Sequence, residues 1–293
     1  MLQTSENYMA LRESHPCFGG YRNNKGRIHL PVSPTCNIAC RFCRRCENLF
    51  ENRPGVTGKV VAPQEALAIL DKALVICPEI TVAGIAGPGD TLASDDALET
   101  FRLIGKKYPG LLKCMSTNGL LLDEKADEIL EAGLSTLTVT VNAVKPAIEA
   151  RLNDYIIYHG KKYEGEEAAE ILIANQLKGI RKMAGHGMVI KINTVLVPEI
   201  NADHIEQIAK EVSEAGASIY NIIPLIPQGK LSGCAAPSCI EIEAARKKAE
   251  KYIDVFRHCQ HCRADAAGLL GGKDISDKLY SVPFGVPETF SHG

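Results

Sequence analysis

Short apolar runs rich in β-branched residues alternate with longer segments of helical period along most of this chain. The apolar runs fall at residues 27–31, 80–85, 111–116, 136–142, 188–195 and 218–223. Between and after them, apolar positions at three- and four-residue spacing predict helices over 63–76, 95–107, 123–132, 166–184, 202–215 and 240–257, several opened by Pro or Asp. Strand–helix alternation marks an α/β protein, because parallel neighbours need long crossovers that helices supply. Right-handed crossovers curl such a sheet, so six units predict a partial, TIM-like (β/α)6 barrel rather than the closed eightfold ring. Functional groups then belong beyond the C-terminal ends of the strands, where polar and Gly-rich residues do follow at 87–90, 116–119, Asn142 and Asn193.

A length of 293 residues suits one such barrel, and 33 Lys+Arg against 35 Asp+Glu give a formal charge of −2. Neither nucleic acid nor an anionic membrane is favoured as a partner by that balance. No apolar run approaches the roughly 20 residues that span a bilayer, and the first ten residues lack a basic segment followed by an apolar one. A cytoplasmic protein is expected. Its 11 cysteines then read as free thiols for metals or catalysis, since a reducing compartment disfavours disulfides.

The strongest local signal is Cys36-Asn-Ile-Ala-Cys40-Arg-Phe-Cys43, directly after the first predicted strand. A structural zinc site closes with four ligands in two separated pairs, whereas three cysteines leave one iron of a four-iron cluster open. This run resembles that of the radical S-adenosylmethionine (SAM) superfamily. The resemblance implies a [4Fe-4S] cluster on Cys36, Cys40 and Cys43 that binds SAM and reduces it to a 5′-deoxyadenosyl radical. It also implies SAM contacts from Gly87, Pro88, Gly89 and Asp90 and from Ser116, Asn118, Asn142 and Asn193. Each of these, taken alone, reads as an ordinary turn or cap residue.

Further thiols stand at both ends: His15-Pro16-Cys17 precedes the barrel, and Cys259-Gln-His-Cys262 follows the last helix. On spacing alone, zinc is an equal alternative for Cys259 and Cys262. These elements resemble the NifB family of nitrogenase iron–molybdenum cofactor biosynthesis proteins, as do Arg53-Pro-Gly-Val-Thr57, Ala86-Gly-Pro-Gly-Asp90, Ser116-Thr-Asn-Gly119, Thr138-Val-Thr-Val-Asn-Ala143, Asn221-Ile-Ile-Pro-Leu225 and Cys259 to Ala266. The likeness covers nearly the whole chain. Cys46, three residues after Cys43, and Thr91 depart from the family pattern.

The family resemblance implies three parts: an N-terminal extension (1–26), a radical SAM partial barrel (27–257) and a C-terminal extension (258–293), with the extensions over the mouth and no appended carrier domain. It implies that two further [4Fe-4S] clusters are substrates, fused around a SAM-derived carbide with an extra sulfur into an [8Fe-9S-C] precursor. Ligands for them come from His15, Cys17, Cys46, Cys114, Cys259 and Cys262. One grouping puts His15, Cys46 and Cys114 on one cluster and Cys17, Cys259 and Cys262 on the other. Glu51 and Arg53 border the cluster loop and are candidates for proton transfer, or an ordinary surface ion pair. Expected partners are a nitrogenase cofactor scaffold protein as acceptor, an iron–sulfur cluster donor, and ferredoxin or flavodoxin as electron donor. Two other readings stay open: a radical SAM enzyme with permanent auxiliary clusters acting on a peptide or small molecule, and a non-catalytic iron–sulfur carrier. Cluster fate during turnover separates the first, and failure to cleave SAM marks the second.

Overall fold

In a computed structural model describing residues 2–19, 24–272 and 274–280, all six predicted strands form, and they lie side by side in chain order. They are β1 (Gly26–His29), β2 (Ile80–Ile85), β3 (Leu112–Thr117), β4 (Thr136–Thr140), β5 (Val189–Leu196) and β6 (Ile219–Pro224). Every neighbouring pair among them is parallel. The sheet is a curled, open half-barrel. A seventh strand, β7 (Ala267–Leu269), runs antiparallel to β1. It comes from the C-terminal extension, where the sequence shows no strand period; residues 281–293 of that extension lie outside the described residues.

The alternation of strand side chains explains how the sheet positions a site. One parity, including Ile28, Met115, Val139, Ile190, Ile192 and Ile222, is buried in the main core. The other parity, including Arg27, Cys114, Ser116, Thr138, Lys191 and Asn193, faces the concave lumen. Helices α2 (Pro63–Ile76), α3 (Asp96–Lys107), α4 (Ala126–Glu131), α5 (Gly165–Gly185), α6 (Ile205–Glu214) and α7 (Cys239–Ala249) link or follow the strands. Apolar side chains such as Leu70, Phe101 and Ile208 bury one face of these helices in the same core.

Three departures from the sequence expectation have local causes. The last helix stops at Ala249 instead of 257, because the next residues bridge to β6: Tyr220 N–H donates to Asp254 O at 2.8 Å and Phe256 N–H to Tyr220 O at 2.7 Å. That segment covers the outer edge of β6, where unpaired backbone groups would otherwise stand open. The helix expected over 123–132 is confined to α4, since residues 120–125 are turns. A hairpin, Asn153–Tyr158 and Lys161–Glu164, sits between β4 and α5 and pairs with Ile38–Cys40. Ahead of the barrel, α1 (Leu2–Ser14) and a 3-10 turn (Pro16–Phe18) carry the His15–Cys17 motif.

Candidate active site in the barrel lumen

The three loop cysteines are brought together at the C-terminal end of the sheet. Cys40 feels the charges of both Cys43 and Cys36. Burial pushes the Cys36 thiol up to about 12 and also raises Cys40 and Cys43, the latter against the pull of Arg45 and Arg53. Without iron these thiols are neutral; iron binding displaces their protons.

The loop is held from below by the Gly-rich segment. Gly89 N–H donates to Ser33 O at 2.7 Å and Asp90 N–H to Thr35 O at 2.8 Å. A Cβ on Gly89 would fall 1.9 Å from Thr35 O, so only glycine permits this approach. The Asp90 carboxylate is raised by burial and accepts from Thr117 Oγ1, Asn118 N and Leu92 N. Asn118 in turn donates to Asn37 Oδ1 at 2.6 Å. Asp90 and Asn118 thus tie the strand ends to the cluster loop. Asn142 accepts from Val195 N through its side chain. Pro88, Ser116 and Asn193 line the lumen, and Asn221 donates to Asn193 Oδ1 at 2.9 Å.

A cavity of about 310 Å³ fills that lumen, and His15, Cys17, Cys43, Cys114, Cys259 and Cys262 all contribute to its wall. Both terminal extensions therefore deliver thiols to the same space as β3. Cys17 feels the charges of Cys262 and Cys114, and burial lifts it to about 11 while Lys191 acts the other way. His15 is held neutral, well below its ordinary range, by burial and then by Lys191. Its Nδ1 accepts from Cys17 N–H at 3.1 Å, which leaves Nε2 buried with no partner among the described residues.

Cys46 is placed differently. It is 2% exposed and absent from the cavity wall; its thiol accepts from Asn48 Nδ2 at 3.1 Å and Arg53 Nη2 at 3.2 Å. It neighbours Cys43, whereas Cys114 neighbours Cys17. Arg53 also donates to Glu51 Oε2 at 2.5 Å. Despite partial burial, that hydrogen bond and charge hold the Glu51 carboxyl below its usual range. Arg263 locks the C-terminal extension onto this loop, donating to Glu51 O at 2.6 Å and Asn48 O at 2.8 Å while pairing with Asp265.

Residues 30–212 match the model of the radical SAM superfamily. A FeMo cofactor biosynthesis protein NifB from Methanocaldococcus infernus is 45% identical over 282 residues, 95% of this chain and 93% of that protein. The chain belongs to the NifB family. The NifB of Methanocaldococcus jannaschii is 46% identical, covering 92% of this chain and 91% of that one. The Chlorobaculum tepidum protein is 40% identical over 88% of this chain, which spans 62% of that longer relative. The half-barrel is also that of a radical SAM methyltransferase from Sphaerobacter thermophilus, with a TM-score of 0.60 at 17% identity, covering 79% of this chain and 65% of that one. Family membership fits the donor set: three mutually close thiols suit a four-iron cluster with one open iron. Among the described residues no three His, Cys, Asp or Glu side chains converge as a single metal ion requires.

Arg27, His29, Lys191 and Asn221, to which the sequence assigns no site role, also line the cavity. Strand parity held the signal: Lys191 lies between Ile190 and Ile192 and shares a face with Asn193.

Proposed function

We propose that the lumen holds two [4Fe-4S] clusters as substrates and that the enzyme fuses them around a SAM-derived carbide, with one added sulfur, into an [8Fe-9S-C] precursor of the nitrogenase cofactor. The observation that carries this reading is convergence: two terminal extensions and β3 bring Cys17, Cys114, Cys259 and Cys262, with His15, into one cavity beside Cys43. An enzyme acting on an organic molecule with its SAM cluster alone needs no such pool of thiols. Too few ligands are present for four per cluster, which suits substrates that must be consumed and released.

When bound by Cys36, Cys40 and Cys43, the SAM-binding [4Fe-4S] cluster supplies the electron for reductive cleavage of SAM. Gly87, Pro88, Gly89 and Asp90 fix the loop, and Ser116, Asn118, Asn142 and Asn193 border the SAM side. His15, Cys17, Cys114, Cys259 and Cys262 line the substrate space, and Cys46 lies outside its wall, beside Cys43. Glu51, kept ionised by Arg53, is the proton acceptor for the methyl-derived carbon. The protein's part is placement and proton handling, since the clusters carry the bond chemistry. A cytoplasmic setting fits, with a nitrogenase cofactor scaffold protein as acceptor, an iron–sulfur cluster donor, and ferredoxin or flavodoxin as reductant. No described helix is long and apolar enough to cross a membrane.

Iron per monomer after anaerobic reconstitution tests the reading. Wild type should hold about 12 iron atoms and a variant lacking Cys36, Cys40 and Cys43 about 8. If wild type holds about 4 and the variant none, the lumen thiols carry no iron and an organic substrate takes over.

A further inference from the structure

Two buried cations stand in the lumen wall. Arg27 is 6% and Lys191 8% exposed, and both line the cavity. Arg27 donates from Nη1 to Gly268 O at 2.9 Å and from Nη2 to Cys262 Sγ at 3.1 Å, leaving its buried Nε without a partner among the described residues. The Lys191 ammonium lies 5.2 Å from the Phe18 ring centre and 5.5 Å from that of Phe256. Among the described residues, neither cation has a carboxylate within salt-bridge distance. The contrast is Lys113, which is equally buried on β3 but spends its ammonium on Ala132 O at 2.8 Å.

Desolvating an unpaired charge is costly, and ring faces return only a small part of that cost. A fold that places two such charges in one cavity is matched to an anionic guest. The groups facing them are thiols: Cys262 accepts from Arg27, while Cys17 and Cys114 feel Lys191. We propose that Arg27 and Lys191 are the counter-charges of the iron–sulfur substrate, Arg27 bonding the Cys262 thiolate and Lys191, seated between Phe18 and Phe256, facing the cluster beside Cys17 and Cys114. This rests on the reading of the lumen as the cluster-fusion site. Together the two cations retain the anionic assembly and make it easier to reduce.

The experiment compares Lys191→Met, Lys191→Arg and Arg27→Gln, each in wild type and in the background lacking Cys36, Cys40 and Cys43, where all bound iron is in the lumen. The readouts are the rate at which a chelator strips iron and the midpoint potential followed by electron paramagnetic resonance. Lys191→Met and Arg27→Gln should lose lumen iron about tenfold faster than the parent and show a lower potential. Lys191→Arg, which keeps the charge, should restore both values. Unchanged rate and potential in Lys191→Met and Arg27→Gln overturn the proposal while the fusion site stands, as does an equal loss in Lys191→Arg, which assigns the effect to packing. A parent background with no lumen iron overturns both readings together.

Discussion

Glu149 ends the short helix Pro146–Glu149 after β4, is 1% exposed, and meets only partial compensation. Asn153 Nδ2 donates to its Oε1, while Oε2 has no partner among the described residues. Burial raises its pKa from 4.5 to about 8, opposed by hydrogen bonds from Asn153 and the Ala143 backbone. Between those values the unfolded chain is ionised and the folded one holds the proton. The stability contributed by the neutral carboxyl is therefore fully present below pH 4.5, lost as pH rises, and gone above about 8. The slope is about 1.4 kcal/mol per pH unit, or about 5 kcal/mol across the window. Glu149→Gln keeps the shape and cannot ionise. Urea unfolding of cluster-free, reduced protein from pH 5 to 9 should show the variant gaining on wild type steadily, by about 3 kcal/mol at pH 7. Parallel stability curves across that range would refute the argument, because they mean that Glu149 ionises equally in both states.

Gly89→Ala drives a methyl group into the Thr35 carbonyl; it should cost about 3 kcal/mol and lower iron at the three-cysteine loop, read by thermal unfolding and iron assay. Cys114→Ala should fold normally yet reconstitute with less iron than wild type, and full iron content would exclude Cys114 as a ligand. Glu51→Gln should slow formation of the eight-iron product by about 10²-fold with SAM cleavage retained; product at the wild-type rate removes Glu51 from proton transfer.

The parallel strands were legible because each is an apolar run of buried-sheet length, and Ile80–Ile85 is recovered to the residue. The three-cysteine loop was legible because its ligands are adjacent in sequence. Other features were hidden for physical reasons. The hairpin turns at His159 and Gly160, both at positive φ, but its second strand, Lys161–Glu164, is largely exposed and polar, so it shows no apolar alternation. The antiparallel β7 is three residues long with a glycine in the middle, too brief for any period to register. Of the lumen, the thiols could be proposed from motif resemblance, whereas the meeting of Cys17 with Cys262 depends on contacts some 245 residues apart in sequence that only the fold creates. Arg27 and Lys191 escaped notice because charged residues read as surface until their strand neighbours are known to be buried.

The C-terminal extension leaves the outer edge of β6 at Phe256 and reaches the outer edge of β1 at Ala267. Residues 257–266 thus bridge the gap that an incomplete ring leaves open, as a clasp closes a bracelet. Their moorings are loop contacts, above all those of Arg263 and Asp265 with residues 48–58. Undoing the clasp breaks side-chain and loop hydrogen bonds and leaves the parallel ladders untouched. The opening between β6 and β1 is thus closed by contacts separate from those that hold the sheet together.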